Sequence, residues 1–147
     1  MSVDLTQAEA YQLIAMPKES NESGTVKFPT AGERLIISLV SSDKTEDFLL
    51  DVTRSRIDLA KVTYQNRARV VVVLLRLDLS GPPHRNPDGE EMPCPHLHIY
   101  RQGFGDKWAY PVPQDRFANL GDMMQTLSDF MNECNVTVRP SVQAGFF

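Results

Sequence analysis

The sequence predicts a single α+β domain: an antiparallel sheet of about five to seven strands, a short N-terminal helix and a longer C-terminal helix. Apolar stretches of strand length follow one another through the middle of the chain, separated by turn residues. Apolar residues at helical spacing lie near the two ends. The length of 147 residues suits one domain, which we assign to residues 1–147.

The first helix is expected to begin at a capping box. Thr6 and Glu9 have the spacing at which a hydroxyl and a carboxylate each accept a hydrogen bond from a first-turn amide. The helix should run through Ile14 and end before Pro17, because proline disfavours a helical residue in front of it. A loop should follow, with a short strand around Val26.

The central strands should begin with a hairpin. Residues 34–41 and 48–53 are apolar, and the turn at 42–45 has hairpin length. Residues 62–79 are too long for one ordinary strand. We expect either two strands that break near Gln65 and Asn66 or one strand with a bulge.

Within residues 62–79, the longest apolar run of the chain extends from Val70 to Leu75. Its lack of alternation predicts a central strand buried on both faces. The alternation after it, in which Arg76 and Asp78 separate leucines, predicts that the strand emerges half-exposed.

A strand at 96–101 should point His96, His98 and Tyr100 to one side. A glycine turn then leads to a returning strand at 107–112.

The C-terminal helix is predicted from the apolar spacing of residues 120–134. We expect its methionines to pack in the core. Residues 136–147 are expected to add an edge strand.

Composition excludes several classes of protein. The longest apolar run has six residues, far fewer than the ~20 that cross a bilayer, so no membrane association is expected. The first residues lack the pattern of a secretory signal, and two distant cysteines do not make a disulfide scaffold, so we expect a cytoplasmic protein. We find no nucleophile-elbow, P-loop or dinucleotide motif, and no cofactor is expected.

The net charge of −4 hides an asymmetry. Residues 51–85 contain seven basic and three acidic residues and carry +4, which leaves −8 on the rest of the chain. Such sorting is typical of a patch for a polyanion, although basic residues at strand edges also discourage sheet association. The candidate substrate-binding residues are Arg54, Arg56, Arg67, Arg69, Arg76, Arg85, Lys107 and Trp108. Trp108 and Tyr110 are expected to stack on bases.

The three histidines lie within fifteen residues of one another. His84 is in a long connection, residues 80–95, which should fold back toward His96 and His98. One interpretation is RNA binding or metal-independent RNA cleavage, in which His84, His96, His98 and Tyr100 act as acid or base and arginines bind phosphate.

Two other interpretations of the histidines stay open. The His-x-His pair is also suited to a metal, with a third ligand from His84, Asp88, Glu90 or Cys94, but the sequence alone assigns no metal ligand. Alternatively, the histidines form the solvated face of a half-buried strand. A reactive thiol at Cys94 is the least favoured use of this region.

Three segments, Gly81–Glu90, Pro95–Gly103 and Asp106–Pro111, resemble a family of uncharacterised bacterial and prophage proteins of roughly this length. That resemblance extends over most of the chain and implies no activity. Pro95–Ile99 with the following turn is also similar to a hairpin of small proteins in predicted toxin–antitoxin pairs. This similarity implies a mobile-element or defence setting. RNA is therefore the expected partner. The alternative is a non-catalytic protein-binding module, antitoxin-like or a phage-encoded inhibitor of host defence, with an antitoxin or a host defence factor as its partner.

Overall fold

A computed structural model describes residues 4–144 as an α+β fold. In chain order, the elements are α1 (Gln7–Ala15), β1 (Lys18–Ser20), β2 (Thr25–Lys27), β3 (Arg34–Ser41), β4 (Asp47–Arg54), β5 (Val62–Ala68), β6 (Val72–Asp78), β7 (His84–Arg85), β8 (Glu91–Met92), β9 (His96–Ile99), β10 (Ala109–Pro111), α2 (Met123–Glu133), β11 (Val136–Val138) and β12 (Ser141–Gln143). Residues 1–3 and 145–147, which our domain assignment includes, lie outside the described residues.

The central sheet has eight strands in the order β10-β9-β6-β5-β4-β3-β1-β11. Every neighbouring pair is antiparallel except β1 and β11, which are parallel. Two smaller pairs, β2 with β12 and β7 with β8, complete the strands. The predicted fold class is confirmed, with one strand more than the upper end of the expected range.

The helix boundaries follow from their caps. The Thr6 hydroxyl accepts from the Glu9 amide, and the Glu9 carboxylate accepts from the Thr6 amide, as the capping box predicts. Helix α2 begins later than expected, because Asp122 is the N-cap and accepts from the amides of Met124 and Gln125.

Two predictions about residues 62–79 are wrong. The chain does form two strands, but it reverses at Arg69–Val71 and not near Gln65 and Asn66, where the register of β5 with β6 merely shifts at a bulge. Val70 and Val71 are 66% and 62% exposed, so the apolar run is not a strand buried on both faces. The reversal depends on positive φ angles at Arg69 and Val70, which apolar composition does not reveal.

The two faces of the sheet differ sharply. Val52, Tyr64, Leu77 and Leu97 are aligned across four strands and fully buried in the core. Helix α2 covers this face, where the Tyr64 and Phe130 rings lie 6.0 Å apart. Since neighbouring residues of a strand point to opposite faces, the residues beside this row form the other face.

The segment after α2 closes one edge of the sheet. Strand β11 pairs with β1, and β12 pairs with β2, so the expected tail strand is present as two short strands. The part of that prediction that falls on residues 145–147 lies outside the described residues. No helix of residues 4–144 is long and apolar enough to span a membrane.

Candidate functional site

The second face of the sheet carries a cluster of polar side chains on β6 and β9. Arg76 is paired with His98, and Asp78 is paired with His96, in the antiparallel register of these strands. Since residues two apart project to the same side of a strand, the pairing gathers all four side chains at one place.

His96 is almost completely buried and has partners at both ring nitrogens. Its Nδ1 lies 3.1 Å from the Met92 carbonyl oxygen and 3.3 Å from that of Pro93. Its Nε2 lies 3.1 Å from Asp78 Oδ2. Because carbonyl and carboxylate oxygens both only accept hydrogen bonds, a proton on either ring nitrogen finds an acceptor.

His98 repeats this arrangement. Its Nδ1 lies 2.8 Å from the Asp106 carbonyl oxygen, and its Nε2 lies 3.2 Å from Asp78 Oδ2. Nε2 is also 3.1 Å from Arg76 NH2, which only donates. The neutral His98 ring is therefore protonated at Nδ1, and the Nε2 atoms of both histidines face the same carboxylate oxygen.

Asp78 is the negative centre of the cluster. Burial raises its pKa, but the contact with His98, the charge of Arg76 and the contact with His96 together lower that pKa to about 2. Thr63 donates to the other carboxylate oxygen over 3.1 Å. Asp78 is therefore a carboxylate throughout the neutral pH range.

His84 comes from the β7–β8 hairpin, which folds the long connection back over β9. Its ring centroid is 4.6 Å from that of His98 and 6.0 Å from that of His96. His84 Nε2 donates to the Lys107 carbonyl oxygen over 2.6 Å. Its Nδ1 has no hydrogen-bond partner among residues 4–144, so His84 is the histidine with a free acceptor nitrogen.

These side chains line a pocket of about 260 Å³. Lys61 and Cys94 complete its wall, together with residues 80–83. The Lys61 ammonium makes no ion pair with any described residue. Burial and the charge of Asp78 raise the pKa of Cys94, which argues against a reactive thiolate there.

The expectation that the histidines form a solvated face is wrong. The His96 and His98 side chains are only 3% and 1% exposed, because the hairpin and the segment before β10 cover them. Alternating leucine and histidine predicts a strand with one solvent-exposed face. The sequence pattern does not show that a loop covers that face.

Tyr100 does not join the histidines. It is buried against the core, where its hydroxyl accepts from the Leu5 amide over 2.7 Å and donates to the Leu5 carbonyl over 3.2 Å. Strand β9 ends at Ile99, before the alternation reaches Tyr100. Its hydroxyl therefore anchors the start of α1.

Of the predicted basic residues, Arg76 alone has its side chain in the pocket wall. Its NH1 is 2.8 Å from Asp106 Oδ2, and its Nε is 3.4 Å from Asp78 Oδ2. Lys107 contributes only its backbone carbonyl, which accepts from His84.

The other predicted cations are dispersed, and most are neutralised. Ion pairs join Arg67 to Asp51, Arg69 to Glu46 and Arg85 to Glu91, while Arg54 is buried and donates to the Leu59 carbonyl and Arg56 lies beside Gly32. The net-basic segment is therefore not one phosphate-binding surface, because the fold places carboxylates beside its arginines, some from within the segment and some from outside it.

Trp108 is also engaged elsewhere. Arg101 lies 4.3 Å over its ring, and Phe104 contacts it edge-on with centroids 5.9 Å apart. One face of the indole is thus covered by a cation.

Sequence reasoning missed Asp78, Asp106 and Lys61 as members of the site. The alternation of Arg76 and Asp78 did indicate one exposed face, but the partner strand of β6 was needed to bring Asp78 to the histidines. Lys61 and Asp106 lie outside the strands. The tertiary structure brings Lys61 to the pocket wall and Asp106 to Arg76.

Residues 5–136 match the model of a family described as a family of unknown function (DUF6978). No curated protein and no solved structure matches the chain.

Proposed function

The chain belongs to the DUF6978 family, as its resemblance to uncharacterised proteins implied, and we propose that it binds and cleaves RNA at the histidine pocket. The observation that carries this proposal is the presence of three imidazoles, Arg76 and the unpaired Lys61 around one open pocket. Imidazole is the side chain best suited to proton transfer near neutral pH, and the two cations suit a phosphate.

We assign proton transfer to His84. Its Nδ1 is free to accept a proton, whereas each nitrogen of His96 and His98 already faces a partner. His84 Nδ1 removes the proton of an RNA 2′-hydroxyl while that oxygen forms a bond to phosphorus. The bond from phosphorus to the 5′-oxygen breaks, and the leaving oxygen takes a proton from water. The products are a 2′,3′-cyclic phosphate and a 5′-hydroxyl.

We assign phosphate binding to Lys61 and Arg76. The Lys61 ammonium is exposed at the pocket wall, and Arg76 presents a planar guanidinium beside the histidines. Lys61 has no acidic partner among the described residues, and an anionic group in the pocket would supply one.

The test is cleavage of an end-labelled single-stranded RNA by the purified full chain. We expect the cyclic phosphate product, and a rate about 100-fold lower for His84→Ala. Lys61→Ala should weaken RNA binding, whereas Lys27→Ala, which removes an exposed lysine of β2, should not. Absence of cleavage by the wild type, or equal rates for wild type and His84→Ala, would overturn the proposal.

A second candidate is a non-catalytic module that binds a protein in a toxin–antitoxin or prophage setting. It is favoured by the exposed apolar tip of the β5–β6 hairpin, where Val70 and Val71 project into solvent. Expression in bacteria distinguishes the two candidates. A growth effect that survives His84→Ala but is lost in a Val70→Ser/Val71→Ser variant would favour the protein-binding function. For either function we propose a cytoplasmic location, since Cys94 and Cys134 are free thiols.

A further inference from the structure

We propose that Asp78, His96 and His98 bind a divalent transition-metal ion such as Zn²⁺. The ligands would be Asp78 Oδ2 and the Nε2 atoms of the two histidines. Candidate ligand atoms of these three residues all lie within 4.8 Å of one another. The donor atoms of these three residues define the site, which therefore does not depend on RNA being the substrate.

The spacing of the donor atoms suits a shared ion. Asp78 Oδ2 is 3.1 Å from His96 Nε2 and 3.2 Å from His98 Nε2. Ligands that bind zinc at 2.0–2.2 Å in a tetrahedral arrangement are about 3.3–3.6 Å apart from one another. Each of these two separations needs to lengthen by only a few tenths of an ångström.

The protonation of the rings supports the same conclusion. Backbone carbonyls of Met92, Pro93 and Asp106 face the two Nδ1 atoms and accept from them in the tautomer that leaves Nε2 for a metal ion. A histidine that donates from one nitrogen to a carbonyl and presents the other nitrogen to the ligand is the usual arrangement at protein metal sites.

The site is also rigid and accessible. Both histidines lie on β9 and the carboxylate lies on the neighbouring β6, so regular strand pairing sets their separation. The imidazoles are almost completely buried, yet they line the open pocket. Three protein ligands beside an open pocket leave a coordination position for water or substrate, as in catalytic zinc sites.

Arg76 is the internal competitor of the metal ion. Its guanidinium contacts His98 Nε2 and Asp78 Oδ2, which are two of the three ligand atoms. It also forms its shortest ion pair with Asp106, over 2.8 Å, outside the ligand set. We infer that Arg76 keeps the Asp106 contact and gives up the other two when the ion binds.

The experiment is calorimetric titration of the full-length, EDTA-treated protein with Zn²⁺ alone. We expect one saturable site per chain, and an affinity at least about tenfold lower for Asp78→Asn. The matched control is Asp115→Asn, which changes an exposed aspartate outside the pocket and should bind as the wild type does. Absence of a saturable site, or equal affinity for wild type and Asp78→Asn, would overturn the proposal.

A second measurement needs no variant and stands if Asp78→Asn fails to fold. X-ray absorption of the wild-type protein loaded with one equivalent of Zn²⁺ should show two imidazole ligands and oxygen donors without sulfur. A spectrum with fewer than two imidazoles, or with a sulfur ligand from Cys94, contradicts the proposed ligand set. Because neither measurement uses RNA, failure of the metal site and failure of RNA cleavage are distinguishable.

Discussion

The guanidinium of Arg76 donates a hydrogen bond to Nε2 of His98 over 3.1 Å, on the nitrogen that we assign to a metal ion. A cation of the protein and a cation from solution therefore compete for one lone pair. Removing Arg76 should therefore change the affinity for a metal ion at this site, whereas a metal ion bound elsewhere on the surface would not respond.

Replacing Arg76 by glutamine should strengthen Zn²⁺ binding by several-fold. The variant removes a positive charge next to the ion and frees two ligand atoms. Calorimetric titration measures the change. Arg116→Gln, which disrupts an ion pair with Glu133 outside the pocket, serves as the control and should leave the affinity unaltered. Weaker binding by Arg76→Gln would show that the guanidinium is not a competitor.

Tyr100→Phe should lower the free energy of unfolding by about 1–2 kcal/mol, because the Leu5 amide loses its buried hydrogen-bond acceptor. RNA cleavage should be unaltered, since the hydroxyl faces Leu5 and not the pocket. Urea unfolding and the RNA assay measure the two effects. A large loss of cleavage by a folded Tyr100→Phe protein would restore the catalytic role expected from the sequence.

Asp51→Asn should destabilise the protein by about 2–3 kcal/mol, since hydrogen bonds to charged groups contribute that much. Asp51 is buried on the polar face of the sheet, where it accepts from Arg67 and Gln65 and pairs with Arg34. Chemical denaturation gives the difference. Asp47→Asn, at an exposed position of the same strand, is the control and should change stability little.

Val70→Gly should stabilise the protein by about 1 kcal/mol. Val70 has a φ of 67°, a left-handed conformation that is strained for a β-branched residue and free of cost for glycine. Val71→Gly is a matched control, because Val71 is similarly exposed and is not among the residues with positive φ. Thermal or urea unfolding should separate the two, and equal effects would argue against strain at Val70.

The stability contributed by Lys18 should depend on pH. Burial lowers the pKa of Lys18 to about 8, while its ammonium donates to the carbonyls of Ile14, Met16 and Cys134. Between pH 8 and the unfolded pKa of about 10.4, the unfolded chain binds more protons at this lysine than the folded chain. The contribution of Lys18 to the free energy of unfolding therefore rises with pH over that window.

The test of the Lys18 prediction compares the wild type with Lys18→Met by urea unfolding at about pH 8 and about pH 10. The difference in stability should increase in favour of the wild type by about 1–3 kcal/mol. Burial also raises the pKa values of Tyr64 and Cys134, and these two groups lower the free energy of unfolding as the pH rises. Both groups are present in the wild type and in the variant. A difference that stays constant with pH would show that Lys18 titrates equally in the two states.

The parts of the fold that could be predicted are those with local signals. The Thr6–Glu9 capping box gave the start of α1, and the apolar spacing of the last helix gave α2 within a few residues. The hairpin of β3 and β4 followed from two apolar stretches around a polar turn. In each case, residues close in sequence supply the stabilising contacts.

The remaining features depend on contacts between distant residues. An exposed turn that contains Val70 and Val71 has the composition of a buried strand, and only its backbone angles distinguish the two. The histidine cluster was anticipated from the proximity of the three residues in sequence. Its acidic partner was not, because Asp78 meets His96 through the register of β6 with β9.

Because β1 pairs with β11, the central sheet cannot be completed until the last part of the chain has been synthesised. Strand β1 leaves the ribosome early, whereas its partner is made after every other strand of the central sheet. The pocket strands β6 and β9 are joined to earlier strands by antiparallel neighbours, so they can assemble before translation reaches β11. Until β11 pairs with it, the β1 edge lies open at the end of the sheet away from the pocket strands, and such an unpaired edge is prone to aggregation.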